Sequence, residues 1–162
     1  MRPTNTLFVV SALLFICAVG LVVVAARTPR TTTSSVDAPL APVASVRQIM
    51  RGIVDPAATM VFGAVSTTVT TAGVEEKAPH TAEEWGAVAN SAAALAEAGN
   101  LLRMGNRAVD RGDWLTMSQR LTDAGTVALK AAEARDAKGV FASGEAIYES
   151  CSNCHSKYER TQ

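Results

Sequence analysis

Apolar residues recur at intervals of three and four along almost the whole chain beyond residue 45, and this repeat limits the available folds more than any other feature. Val46, Met50, Ile53, Ala57, Met60 and Ala64 form a first set. Trp85, Val88, Ala92, Leu95, Gly99 and Leu102 form a second, and Trp114, Met117, Leu121, Ala124, Ala128 and Ala131 a third. Val140, Phe141, Gly144, Ile147, Tyr148, Cys151, Cys154, His155 and Tyr158 complete a fourth. Each set puts one apolar stripe on a helix, and no alternating strand pattern competes. Short connections between the later stretches favour antiparallel neighbours. The expected fold is all-α, an up-down-up-down four-helix bundle.

Punctuation in the sequence marks the helix ends. Pro56 cannot donate to the carbonyl of Gly52, so the first helix is expected to kink or restart there, with Asp55 as cap. It should run to about Thr71, with "TTAGVEEKAPH" as the following loop. "TAEEW" gives a capping box, Thr81 with Glu84. Asp113 is the expected cap of the third helix, and the fourth follows "RDAKG". Facing positions are often Ala or Gly. Such a core either brings backbones close or leaves room for a large apolar group.

The first 26 residues are different in kind. "LFVVSALLFICAVGLVVVAA", residues 7–26, is uncharged and flanked by Arg2 and Arg27. Twenty residues rising 1.5 Å each span about 30 Å, a bilayer's hydrocarbon thickness. The segment reads as an N-terminal transmembrane anchor or, if cut after "VVVAA", a signal peptide. Either exports the rest of the chain. A Thr/Ser/Pro-rich linker at 27–45 follows, then the helical domain at 46–160. Lys and Arg number 15 against 15 Asp and Glu, so no basic excess suggests nucleic acid.

Near the C-terminus stands "CSNCH": Cys151, Cys154 and His155. Cys17 lies in the apolar leader, which leaves Cys151 and Cys154 as the one pair in the exported part. C-x-x-C-H is the attachment pattern of c-type haem. Thiols at i and i+3 project to nearly the same side of a helix, so both can add across the two vinyl groups of one porphyrin. His155 can then place an imidazole nitrogen on the iron. Two rivals fit less well. A redox dithiol of thioredoxin type opens a helix after a strand, where the helix N-terminus lowers a thiol pKa. A tetrahedral zinc site needs four ligands, and the only other histidine is His80, in a polar loop. The expected cofactor is one covalent haem c with its iron.

A haem motif at the C-terminal end of the last helix of a four-helix bundle resembles the cytochrome c-prime family and its low-spin relatives. The likeness covers roughly residues 43–160. It rests on "CSNCH", on the helical pattern, and on "VRQIM" at 46–50, similar to an R-Q-x-x-M sequence in the family's first helix. The resemblance implies His155 as axial iron ligand and Met50 as a candidate for the sixth position or a haem contact. Arg47 and Gln48 are candidates for a propionate, and Tyr148 for the ring. Where members often carry Arg or Lys, four residues after the haem histidine, this chain has Glu159.

Two functions follow as expectations. A methionine on the iron suits a periplasmic, membrane-tethered monohaem electron carrier. An open distal face suits a five-coordinate protein that binds NO or CO. No acid-base constellation suggests an enzyme. Expected partners are redox proteins of a respiratory chain, the cytochrome c maturation machinery, the bacterial inner membrane through the N-terminal helix, and a second copy of the bundle.

Overall fold

The computed structural model describes residues 41–159. The anchor or signal reading of 7–26 and most of the 27–45 linker lie outside them. Among the described residues no helix is long and apolar enough to cross a membrane. Four helices and one small β-hairpin make up the described part.

Helix α1 occupies residues 46–64. Ser45 caps it: its hydroxyl accepts from the Gln48 N–H at 3.3 Å, and the Gln48 side chain accepts from the Ser45 N–H at 2.9 Å. The helix passes from Val46–Ile49 through a π-helical turn, Met50–Val54, into Asp55–Ala64 without a break. The expected restart at Asp55 is therefore corrected. Asp55 has helical backbone angles, and its N–H donates to the carbonyl of Met50, five residues back. Pro56 has no N–H, and the widened turn immediately before it lets the chain absorb that loss and stay helical.

The turn also resets the buried face. Ile49, Val54, Ala57, Val61 and Ala64 are buried, while Met60 is exposed. The expected set from Val46 to Ala64 omits Ile49 and wrongly includes Met60.

The helix ends at Ala64, not Thr71. Strands β1 (Ser66–Thr70) and β2 (Gly73–Lys77) then pair antiparallel, with Val69 opposite Val74 and Thr70 opposite Gly73. This hairpin corrects the all-α expectation. β1 is a Thr/Val run of the β-branched residues that prefer extended backbone. Gly73 has φ +141°, accessible without strain only to glycine. The Thr70 hydroxyl bridges the turn, accepting from the Ala72 N–H at 3.2 Å and donating to the Gly73 carbonyl at 3.3 Å.

Helix α2 (Ala82–Leu102) opens on the expected capping box of Thr81 and Glu84. Its buried residues include Trp85, Val88, Ala92, Leu95, Gly99 and Leu102, the full expected stripe. A short 3-10 turn, Gly105–Arg107, leads towards α3 (Asp113–Glu133). Asp113 does not cap α3. Asp110 does, its carboxylate accepting from the N–H groups of Gly112 (2.8 Å) and Trp114 (3.1 Å). Arg135, with φ of 55°, turns the chain, Asp136 takes the N-cap position, and helix α4 (Ala137–Tyr158) begins with "AKG" rather than after it.

α1 packs on α2, α2 on α3, α3 on α4, and α4 also meets α1. Small residues bring α2 and α3 together. A Cβ on Gly125 would lie 2.6 Å from the backbone nitrogen of Ala96, so no larger residue fits. Leu95, Ile147, Ile49 and Val140 are the largest fully buried side chains. Burial of each contributes about 1.5–3 kcal/mol of hydrophobic stabilisation. Two polar side chains secure the end of α2: Trp114 Nε1 donates to the Leu102 carbonyl at 2.8 Å, and buried Arg107 donates to the carbonyls of Ala44 and Leu101 at 2.9 and 3.1 Å. Arg107 thus joins the entry of α1 to the exit of α2, where Leu102 and Met50 stand.

Candidate functional site

The C-terminal turns of α4 present Cys151, Cys154 and His155 to a cleft between helices. α1 contributes Met50 and Val54, α2 contributes Leu102, and α3 contributes Met117, Ser118 and Leu121. Spacing explains the arrangement. Val140, Ile147 and Ser150 form the buried stripe of α4, and Cys151 and Cys154 continue it at half burial. His155 lies at the stripe's edge, its side chain 51% exposed. The sequence-based grouping of Cys151, Cys154, His155 and Met50 is thus a spatial grouping in the structure.

Other candidates stand elsewhere. Arg47 and Gln48 are exposed on the first turn of α1, where Gln48 serves the cap. Tyr148 is 66% exposed and lines a wider groove of about 460 Å³ between α1 and α4, with Val61, Phe62, Val140 and Phe141. Phe141, Tyr148 and His155 share one stripe at intervals of seven, but only His155 reaches the cleft. Met60 does not line it, which leaves Met50 as the α1 methionine at the site. Trp85 and Trp114 are core residues.

Of the lining residues not assigned to the site from the sequence, which include Val54, Leu102, Ser118 and Leu121, Met117 is the one with a thioether donor for a metal. Its spacing on α3 marked it as core-facing, but periodicity names a face without naming what lies opposite.

Both thiols are free, and burial pushes each one up from the ordinary cysteine value. For Cys154 the neighbouring Cys151 adds to the effect. This is the opposite of what an activated dithiol needs. Among the described residues no group of three His, Cys, Asp or Glu side chains is gathered for one ion.

The donor chemistry therefore fits haem: two thiols one turn apart, an imidazole beside them, and thioether and alkyl side chains opposite. The cleft measures about 40 Å³, far less than a porphyrin fills. A ring seated there would require lining side chains to move, and Met50 and Met117 are the half-buried thioethers among them. Both are flexible and apolar, and methionine adapts readily to a new neighbour.

Comparison of the chain with protein-family models, with curated proteins and with solved structures finds no match.

Proposed function

We propose that the chain is a monohaem c-type cytochrome that carries single electrons on the periplasmic side of the bacterial inner membrane, tethered by its N-terminal helix. In this reading the four helices run as an antiparallel up-down-up-down bundle of the cytochrome c-prime kind. The observation that carries the reading is the meeting of Cys151, Cys154 and His155 with Met50 on one cleft.

Each side chain has a defined part. Cys151 and Cys154 would hold the ring by thioether bonds, each formed by adding S–H across a vinyl group. His155 would bind the metal. Met50 would offer a second ligand to the metal, and Val54, Leu102 and Leu121 would exclude water. Haem bound there would supply a one-electron ferric/ferrous couple. The protein's share is ligation, burial and tuning. Redox proteins of a respiratory chain and the maturation machinery are the partners this implies. The second reading, a five-coordinate binder of NO or CO, is favoured by the aliphatic lining from Val54, Leu102 and Leu121, which could cap the metal without ligating it.

The test is expression of the full chain in a host able to mature c-type cytochromes. Intact mass should show one added haem, and the spectrum should show narrow low-spin bands unchanged by CO. Met50→Ala should convert it to a high-spin spectrum that responds to CO. A wild-type spectrum that is already high-spin would favour the gas binder. A colourless chain without added mass would refute both.

A further inference from the structure

Beyond its ligands, the site carries a carboxylate that the electron-carrier reading does not require. Glu159 Oε2 stands 3.4 Å from His155 Nδ1, one helical turn on. The backbone reinforces this placement, because the Glu159 N–H donates to the His155 carbonyl at 2.9 Å, the last hydrogen bond of α4. Final helical turns commonly fray. This one is pinned from two sides. Lys157 pairs with Asp113 at the start of α3, and the Tyr158 hydroxyl donates to Asp110. Both residues just before Glu159 are therefore tied to α3, and Lys157 already has its own carboxylate partner.

An imidazole has two nitrogens, and the partner of one decides what the other does. A carboxylate facing Nδ1 keeps the proton there and leaves the Nε2 lone pair for a metal. It also fixes the ring's rotation and raises the basicity of the ligating nitrogen. A more basic donor stabilises the more highly charged metal. Resting on the haem reading, we propose that Glu159 is a positioning residue: its carboxylate orients His155 through Nδ1 and biases the iron couple towards the ferric state.

The test compares holo-protein of wild type, Glu159→Gln, Glu159→Ala and Glu149→Gln. Glu149 is an exposed glutamate on the same helix and serves as the control for charge alone. Two quantities are read at one fixed pH: the reduction potential, and the solvent-exchange rate of the His155 Nδ1–H by NMR in the reduced protein. Both Glu159 variants should raise the potential and accelerate exchange, with Glu149→Gln leaving the exchange rate unchanged. Haem-loaded Glu159 variants with wild-type exchange would overturn the proposal, even if the potential rose as it does in Glu149→Gln. In that case the haem reading would stand. Absence of haem from the wild-type chain would overturn both.

Discussion

The ring of Tyr158 meets the indole of Trp114 edge to face, with centroids 5.0 Å apart and planes at 74°. Trp114 is buried and holds the end of α2 through its indole N–H, so Tyr158 docks the final turn of α4 onto a fixed point. Its hydroxyl ends on Asp110, which also caps α3. The same two residues thus start α3 and secure the helix that bears the candidate ligands.

This contact gives stability a defined pH window. The Tyr158 hydroxyl foremost, then the N–H groups of Trp114 and Gly112, hold the Asp110 carboxyl below the usual aspartate range. Asp110 in turn pushes the Tyr158 phenol above its ordinary value. A lowered carboxyl contributes stability above its unfolded pKa and loses it as pH falls through the folded value. A raised phenol contributes below its unfolded pKa and loses it as pH rises through the folded value. Tyr158→Phe should therefore be least stable relative to wild type around neutrality. The difference should shrink in acid and in alkali, as urea unfolding across pH would show.

The α2–α3 contact should reject a single methyl group. A Cβ on Gly99 would lie 2.6 Å from the Ser118 carbonyl oxygen and 2.8 Å from the Thr122 nitrogen, both backbone atoms. Gly99→Ala and Gly125→Ala should each destabilise by about 1–3 kcal/mol, although alanine is the better helix former. Gly86, on the same helix, has nothing within 4 Å of an added Cβ. Gly86→Ala should stabilise by about 0.4–1 kcal/mol. Urea midpoints of the three variants would check this contrast in sign.

Met50 and Met117 both face the cleft, and they can be separated without disturbing its volume. Leucine keeps the apolar bulk and removes the sulfur. Met117→Leu should retain the low-spin spectrum of the haem-loaded chain, and Met50→Leu should lose it. The reverse result would transfer the sixth ligand from α1 to α3.

Chain made without haem should have slow thiols. Only thiolate attacks an alkylating agent, and burial keeps Cys151 and Cys154 protonated at neutral pH. Peptide mapping after timed iodoacetamide treatment should find both modified more slowly than glutathione. Faster labelling would point to an activated dithiol instead.

The parts of the fold legible in the sequence are those set by one local choice. Thr81 and Glu84 start α2 because a capping box closes on itself, and the stripe from Trp85 to Leu102 is buried throughout. The hairpin was hidden because both of its faces are solvated. With no buried face, the Thr/Val run shows no alternation to read. The π-helical turn was hidden for another reason. Pro56 announces a missing donor, but the chain adjusts upstream, at Met50–Val54, and buries Val54 where regular spacing points to Ile53. Asp110 lost the capping role to Asp113 in the sequence reading because an aspartate directly before the helix is the commoner signal. At the site, "CSNCH" and Met50 were readable as a group, while Met117 required knowledge of which helices face each other.

The ten paired residues of the hairpin expose nearly every side chain, and β2 is exposed from Gly73 to Lys77. A ribbon this exposed bears little of the domain's weight, so changes in its length or sequence should leave the helices in register. The same latitude makes the ribbon's tip a suitable perch for a fluorophore or an affinity handle, far in sequence from the cysteines such a label must spare.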